Sequence, residues 1–290
     1  MKIYEKLPLI VIIGPTATGK TKFAVQIANE YSSEIISADS RQVYKGMDIG
    51  TGKDLEEYII DGNQIPYHLI DIISPENDYS VYQFQTDFYK SYKQILQQNS
   101  IPILCGGTGL YIESVLLNYE MAEVNPDFEL REKLENEEHD FLKNMLLKLN
   151  PELHNTTDLS SKKRTIRAIE IAKKVERKME NGKWKMENKF DYCVIGISPD
   201  RKIVRKRITD RLKFRLENGL IEEVENLLES GLPRERLNYF GLEYKFIGQF
   251  VDGKLNHNDM FQKLNSAIHQ FSKRQMTFFR RMERRGIKIN

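Results

Sequence analysis

Residues 9–21 place a strand-like apolar run directly before a glycine-rich loop that is typical of phosphate-binding proteins. Leu9-Ile10-Val11-Ile12-Ile13 is unbroken and mostly β-branched, as expected for a strand buried on both faces of a parallel sheet. The next eight residues, Gly-Pro-Thr-Ala-Thr-Gly-Lys-Thr, match the pattern G-x-x-x-x-G-K-[ST] at every fixed position. Apolar residues then recur at helical spacing from Phe23 to Tyr31. This order of strand, loop and helix predicts an anion site at the helix N-terminus.

The glycine loop predicts a site for a diphosphate or a nucleotide, with a defined role for each kind of group. Backbone N–H groups converge on the anion, Lys20 supplies a positive charge, and the Thr21 hydroxyl is a Mg²⁺ ligand. The predicted binding residues are Gly14, Pro15, Thr16, Ala17, Thr18, Gly19, Lys20 and Thr21. The alternative is a glycine-rich turn that binds nothing, but the strand and the helix in register favour a binding site.

Two further apolar runs, Glu34–Ala38 and Ile101–Cys105, predict strands of the same sheet. In a doubly wound parallel sheet, ligands bind beyond the carboxyl ends of the strands. The three strand ends would bring Gly14, Asp39 and Thr108 to one edge. We therefore predict an α/β fold, a P-loop NTPase-like parallel sheet flanked by helices, with an inserted helical subdomain.

The insertion is predicted from a change of character after residue 117. Residues 118–191 are highly charged with apolar residues at helical spacing, and residues 190–197 return to a strand pattern. This divides the chain into a catalytic core, 1–117 with 192–290, and the helical insertion, 118–191. Other periodic segments predict a short strand at 67–73 and helices at 82–98, from 198–200 continuously to Gly231, at 238–250 and at 260–282.

Composition and charge narrow the class of protein. The net charge is only +2, but residues 162–178, 201–215 and 273–285 are basic, so one face of the protein could bind a polyanion; solvated helix faces explain the same runs. In 273–285, aromatic residues between arginines also suit stacking on unpaired bases, or a core stripe with a basic face. No run reaches the roughly 18 apolar residues of a membrane span, and the N-terminus has no signal-peptide pattern, so we expect a cytoplasmic protein without a membrane partner.

Single residues that could hold a metal or form a disulfide are better explained structurally. Cys105 and Cys193 lie in apolar strand-like runs, which favours two free, buried thiols. His68 precedes an apolar run with no second histidine nearby, which favours a structural hydrogen bond over metal ligation.

Longer motifs resemble the tRNA dimethylallyltransferase (tRNA isopentenyltransferase) family. Behind the glycine loop, residues 39–53 read Asp-Ser-Arg-Gln-Val-Tyr-Lys-Gly-Met-Asp-Ile-Gly-Thr-Gly-Lys, close to a family signature. Further matching stretches are 68–71, 106–111, 164–170 and 273–280, so the resemblance spans nearly the whole chain. It implies transfer of a dimethylallyl group from dimethylallyl diphosphate to the N6 amine of the adenosine on the 3′ side of the anticodon, in tRNAs that read codons beginning with U, giving isopentenyladenosine.

The resemblance also implies roles for individual residues. Asp39 would accept the proton of the amine, Lys20, Thr21 and Arg211 would act on the diphosphate, and Mg²⁺ would be the cofactor. The alternative for Asp39 is an aspartate that binds Mg²⁺ or caps a helix. The residues expected to contact the tRNA anticodon stem-loop are Asp39, Ser40, Arg41, Gln42, Thr108, Lys163, Arg164, Arg167, Arg274, Gln275 and Arg280. The insertion would bind tRNA, and the enzyme would be a monomer.

Other functions share part of this pattern. An adenylate isopentenyltransferase acting on free nucleotides would keep Asp39 and Lys20, and a P-loop small-molecule kinase would use the same loop for ATP. A non-catalytic RNA-binding relative would keep only the basic helices. The chain also departs from the family pattern: Phe278 stands where the family has Trp, residues 241–244 replace the usual Gly-Tyr or Gly-Phe pair, and residues 118–149 lack the usual Leu-Pro turn. These departures bear on RNA docking more than on the chemistry.

Overall fold

The computed structural model of the protein describes residues 9–119, 121, 123, 124, 126–151, 159–179 and 191–290. The chain divides into two compact units, Met1–Tyr119 with Asn188–Asn290 and Glu120–Glu187. The predicted absence of a signal peptide, and the parts of the predicted insertion at 152–158 and 180–190, fall outside the described residues.

The first unit is built on a parallel sheet with the strand order β5-β2-β6-β1-β7. The strands are β1 (Leu9–Ile13), β2 (Glu34–Ala38), β5 (Tyr67–His68), β6 (Pro102–Gly106) and β7 (Tyr192–Gly196). The pair β3 (Ile59–Ile60) and β4 (Asn63–Gln64) forms a separate antiparallel hairpin. The predicted α/β fold is confirmed, and β1 and β2 have the predicted bounds.

Alternate residues of the central strands enter two separate cores, because side chains on a strand point to opposite faces. On β1, Val11 and Ile13 belong to one core and Ile12 to the other. Helix α1 (Lys20–Glu30) covers the second face, while α2 (Val81–Gln97) contributes Phe84 and Phe88 to the first. Both faces are covered, which explains the unbroken apolar run of β1.

Several predicted elements of the first unit differ in the structure. The strand predicted at 67–73 is only two residues long, and Leu69 and Asp71 have positive φ angles that end it. The continuous helix predicted as far as Gly231 is two helices, α7 (Arg201–Glu217) and α8 (Leu220–Glu229). Gly219, with φ at 97°, breaks it, since the left-handed backbone cannot continue a right-handed helix.

The closing helices show the same effect. The predicted helix at 238–250 is divided into α9 (Leu237–Phe240) and α10 (Leu242–Val251) by Gly241, whose φ is 127°. The last helix, α11 (His257–Arg284), is longer than predicted at both ends. Helix α3 (Gly109–Leu116) follows β6 directly.

The second unit consists, in its described part, of α4 (Phe128–Glu135), α5 (His139–Leu149) and α6 (Lys162–Met179). Its core comprises Leu134, Leu142, Leu146, Ile166 and Ile169. Glu170 is fully buried; its carboxylate pairs with Arg131 at 2.9 Å and with Arg167. Burial raises the pKa of Glu170, but the hydrogen bonds from these arginines outweigh it and hold the pKa below its usual range.

The isolated histidine and the cysteines can now be placed. His68 Nε2 lies 2.6 Å from Glu34 Oε2 on the neighbouring strand, which confirms a structural hydrogen bond. Both cysteines are free, and Cys105 is buried as predicted, but Cys193 is exposed because it lies on β7 at the edge of the sheet. Within the described residues, no helix is long and apolar enough to cross a membrane.

Candidate active site

The glycine loop lies between β1 and α1, at the carboxyl edge of the sheet. Gly19 and Ala17 both have positive φ angles, 86° and 63°, and the Thr18 hydroxyl donates a hydrogen bond of 2.9 Å to the Pro15 carbonyl. This fixes the turn and leaves Lys20 and Thr21 as the first two residues of α1, both half-buried. The loop therefore has the strand and helix context that phosphate binding needs.

Gln275, on α11, fixes this loop from the other side. Its Oε1 accepts a hydrogen bond of 2.9 Å from the backbone N–H of Thr16, and its Nε2 donates one of 3.0 Å to the carbonyl of Gly107. A Cβ on Gly107 would lie only 2.5 Å from that Nε2, so glycine is needed for the close approach. The buried amide thus joins the ends of β1 and β6, while a contact of Gln275 with tRNA stays a prediction.

Asp39 is half-buried immediately after β2, and its Oδ1 accepts a hydrogen bond of 2.9 Å from the backbone N–H of Arg41. The backbone N–H of Ser40 donates to the Thr108 hydroxyl at 3.0 Å, and the Thr108 N–H donates to the Ala38 carbonyl at 3.1 Å. Because β6 lies between β1 and β2, Gly14, Asp39 and Thr108 lie at the same sheet edge, as the sequence predicts.

Arg41 and Gln42, which follow Asp39 in the chain, are held by contacts within the protein. The Gln42 amide accepts from the Ser37 hydroxyl at 2.9 Å and donates to the Gly52 carbonyl at 2.9 Å. The Arg41 guanidinium lies 4.9 Å from the ring centroid of Tyr239, a cation–π distance. The Gln42 contacts hold the loop that follows β2, and a direct tRNA contact of either side chain stays a prediction.

The signature segment 48–53 is held by two charged residues. The Glu223 carboxylate accepts hydrogen bonds from the N–H groups of Asp48 (2.7 Å), Ile49 (2.7 Å) and Gly50 (2.9 Å), and from the Tyr244 hydroxyl (2.8 Å). Lys53 is buried, and its ammonium bonds to Asp48 at 2.6 Å, to the Tyr44 carbonyl at 2.8 Å and to Asp71. These bonds therefore tie the segment to α8 through Glu223 and to the loop after β5 through Asp71.

Arg211 lies on α7 and faces a cavity that the glycine loop also lines. The cavity is lined by Thr16, Ala17, Ile208, Arg211, Leu212, Arg215, Glu243 and Ile268. Arg211 pairs with Asp54, and Nη2 of Arg215 lies 3.2 Å from Asp54 Oδ1. Arg211 is thus close to the loop, and its contact with a diphosphate stays a prediction. The sequence reasoning missed Arg215, Asp54 and Glu243; the four-residue spacing of the arginines was the available signal for the first of them.

Burial shifts the pKa values of the ionisable groups at this cavity and beneath the loop. Burial raises the pKa of Glu243, although Arg215 and Arg211 oppose the effect. Burial, and then the neighbouring Arg215, lower the pKa of Arg211. Beneath the loop, burial raises the pKa of the Cys105 thiol to about 12, so this thiol stays protonated and inert at neutral pH.

The predicted tRNA contacts on helices differ in exposure. On α6, Lys163 and Arg164 are exposed, whereas Arg167 bonds to Glu170 and, at 2.8 Å, to the Val124 carbonyl. On α11, Arg274 and Arg280 are exposed. The exposed cations can reach phosphates directly, while Arg167 already holds the second unit together.

The aromatic residues of α11 have separate roles. Phe279 is buried in the core, which favours the core-stripe interpretation over base stacking for this residue. Phe278 is half-buried; its ring lies so close to Gly109 that a side chain there would overlap it, and Arg281 lies 4.2 Å from its centroid. Of this aromatic pair, only Phe278 retains an exposed part.

The donor set at the loop fits Mg²⁺. Among the described residues, no three His, Cys, Asp or Glu side chains cluster into a metal site. The half-buried Thr21 at the start of α1 brings one hydroxyl oxygen. Mg²⁺ prefers oxygen ligands and usually keeps several waters and substrate phosphates, so a site with one protein ligand suits it.

Comparison with known proteins gives one consistent result. Residues 42–282 match the family described as IPP transferase, and residues 7–68 match isopentenyl transferase. A protein of Syntrophus aciditrophicus named tRNA dimethylallyltransferase 1 is 49% identical over 283 residues, covering 97% of this chain and 92% of the relative.

Solved structures of similar fold give the same result. The tRNA isopentenylpyrophosphate transferase of Bacillus halodurans has a TM-score of 0.67 at 31% identity, covering 95% of this chain and 87% of that one. A eukaryotic dimethylallyltransferase acting on tRNA has a TM-score of 0.76 at 26% identity, covering 93% of this chain and 69% of that one.

Proposed function

Because the chain belongs to the tRNA dimethylallyltransferase family and is a tRNA prenyltransferase, we propose that it uses dimethylallyl diphosphate to modify the adenosine on the 3′ side of the anticodon. The acceptor atom is the exocyclic N6, and the product is isopentenyladenosine in tRNAs that read codons beginning with U. The observation that carries this proposal is the placement of Asp39 and the glycine loop on strands that flank β6. Two strand spacings separate them by roughly 10 Å, which leaves room for the reacting groups.

In the proposed reaction, N6 attacks the first carbon of the dimethylallyl group while the bond from that carbon to the diphosphate oxygen breaks. The amine is a poor nucleophile because its lone pair is delocalised into the purine ring. Asp39 takes the proton that N6 loses, and its bond to the Arg41 N–H fixes the carboxylate for this role. Thr108, bonded to Ser40 at 3.0 Å, lies on the acceptor side.

The leaving diphosphate carries the charge that the site must stabilise. The loop N–H groups, Lys20 and Arg211 are the donors for it, and they gain strength as charge develops on the oxygen of the breaking bond. Mg²⁺, held by Thr21, would neutralise part of the diphosphate charge.

For tRNA, we propose that the exposed cations of each unit contact phosphates: Lys163 and Arg164 in the helical unit, Arg274 and Arg280 on α11. Such contacts give affinity without reading sequence. We further propose that the helical unit binds the anticodon arm, and that the enzyme acts as a cytoplasmic monomer.

Mass spectrometry of nucleosides tests the reaction. After incubation of unmodified tRNA with enzyme, Mg²⁺ and dimethylallyl diphosphate, isopentenyladenosine is expected, at the position 3′ to the anticodon in nuclease fragments. Modification of free adenine nucleotides but not of tRNA would instead identify an adenylate isopentenyltransferase. Transfer of phosphate from ATP to a small molecule, with no prenylated nucleoside, would identify a kinase.

A further inference from the structure

A pair of arginines shares one carboxylate beside the glycine loop. Arg211 and Arg215 are four residues apart on α7, so they lie on the same face of the helix. Both reach Asp54: Arg211 Nη2 bonds to Oδ2, and Arg215 Nη2 lies 3.2 Å from Oδ1 and 3.4 Å from Oδ2. Asp54 is thus the shared hydrogen-bond partner of both guanidinium groups, and Glu57 is a further carboxyl close enough to act on Arg211.

The guanidinium groups of Arg211 and Arg215 are poorly solvated. The Arg215 side chain is only 11% exposed and that of Arg211 is 30% exposed. A buried guanidinium without a full counter-charge is costly, which makes the pair receptive to a further anion. Burial raises the pKa of the nearby Glu243 carboxyl, while the positive charges of Arg215 and Arg211 oppose this effect.

The segment that carries Asp54 lies directly against the two arginines. Asp54 has a φ of 44°, in the left-handed region that aspartate adopts more readily than most residues. At Gly52, with φ at 68°, a Cβ would lie 2.6 Å from Arg211 Nη2 and closer still to Arg215. The backbone therefore passes directly against both guanidinium groups.

In this arrangement the space beside the two arginines is narrow. The space between the loop residues Thr16 and Ala17 and the arginines measures about 20 Å³, which holds about one water. Both guanidinium groups that line this space already bond to Asp54, so a phosphate group there would compete with Asp54 for them.

We propose that Asp54 holds Arg211 and Arg215 together in the unloaded enzyme and releases them to the diphosphate of the donor, so that Arg215 is a second arginine that binds the diphosphate. This inference rests on the proposed function, because it takes the donor to be an allylic diphosphate. No covalent step is added: the two guanidiniums exchange one oxyanion partner for another.

The variants Arg215→Gln and Asp54→Asn test the exchange by calorimetric titration with inorganic diphosphate in excess Mg²⁺. Arg215→Gln should bind about tenfold more weakly or worse, since it loses a charge-assisted hydrogen bond. Asp54→Asn should bind at least about threefold more tightly, because the competing internal partner is weakened and the binding-competent fraction rises. Asparagine suits the left-handed backbone at 54, so the loop should keep its conformation.

The opposite signs distinguish this proposal from a purely structural ion pair, which predicts that both variants lose affinity. Lys213→Gln is the matched control, because it removes one positive charge from an exposed position between the two arginines and should bind diphosphate like the parent. If Arg215→Gln fails to fold, Arg215→Lys replaces it, with a smaller loss expected because lysine lacks the planar fork. Unchanged binding in the Arg215 variant, or weaker binding in Asp54→Asn, would overturn the proposal.

Failure of the proposed function is detected separately. If the parent enzyme does not prenylate tRNA with dimethylallyl diphosphate, the proposed function fails. If it does, and the titrations lack the opposite shifts, only the exchange between Asp54 and the diphosphate is wrong.

Discussion

The Nε2 atom of Gln275 donates a hydrogen bond of 3.0 Å to the carbonyl oxygen of Gly107, 168 residues earlier in the chain. The other end of the same amide accepts from the Thr16 N–H. One buried side chain near the C-terminus therefore sets the spacing between the glycine loop and the strand end that carries Thr108. The spacing between the glycine loop and the end of β6 therefore depends on α11 as well as on the sheet.

Gln275→Glu should separate this role from packing, because the substitution keeps the shape but removes the donor to Gly107. We expect a loss of about 1–3 kcal/mol in the free energy of unfolding, the cost of leaving a buried polar pair unsatisfied. The Michaelis constant for the donor should rise as well. Urea denaturation and steady-state kinetics measure both, with Thr277→Ala, exposed on the same helix, as the control. Parent-like values in Gln275→Glu would mean that the bridge does not set the loop.

Lys20→Ala should weaken use of the diphosphate donor far more than tRNA binding, since the lysine charge acts on the leaving group. Titration with inorganic diphosphate and tRNA filter binding give the two affinities. Lys22→Ala removes an exposed charge from the same turn of α1 and serves as the control. Full activity in Lys20→Ala would show that the loop is only structural.

If the exposed cations contact tRNA phosphates, their removal should change the salt dependence of tRNA binding. Each phosphate contact releases counterions, so Arg164→Ala and Arg274→Ala should each flatten the slope of log affinity against log salt by about 0.7–0.9. Inorganic diphosphate affinity should not change. Two unchanged slopes, with thermal melts like the parent, would remove these residues from the tRNA interface.

Arg167 should contribute to the stability of the fold, because its guanidinium is bonded to the buried Glu170. The pKa of Glu170 lies below its ordinary value near 4.3, so its ionised form stabilises the fold above that pH, and this stability is lost as the pH falls through the lowered pKa. Glu170→Gln should lower the free energy of unfolding at pH 7 by about 1–3 kcal/mol and reduce the acid sensitivity. Denaturation from pH 7 to 3 measures this, with the exposed Glu132→Gln as the control. Equal pH dependence in the two variants would refute the assignment.

The sequence predicts most of the sheet and the strand-end site, because these depend on local patterns. The apolar run of β1 and the glycine pattern behind it specify strand, loop and helix without knowledge of the rest of the chain. The helix boundaries predicted from the sequence are wrong at Gly219 and Gly241, where the apolar stripe continues although the helix is interrupted. Periodicity records which side chains are buried, but it does not show the left-handed φ that ends a helix.

The contacts missed are those between segments distant in the chain. Asp54 meets Arg211 across 157 residues, and Glu223 caps the N–H groups of segment 48–50 across more than 170. Each of these residues looks like an ordinary surface charge in the sequence, since a charge carries no sign of its tertiary partner. For Phe279 the sequence left two alternatives open, since an aromatic in a basic stretch suits either a core or a base, and its burial favours the core.

The most direct test of the account is the turnover of Asp39→Asn at saturating tRNA and dimethylallyl diphosphate, measured together with its tRNA affinity. The asparagine keeps an oxygen for the Arg41 N–H but is not a base. Turnover should fall by about 10²–10⁴-fold, the usual scale for loss of a general base, with nearly unchanged tRNA binding. Parent-like turnover at saturation, accompanied by a loss of tRNA affinity, would contradict the assignment of Asp39 as the group that accepts the N6 proton.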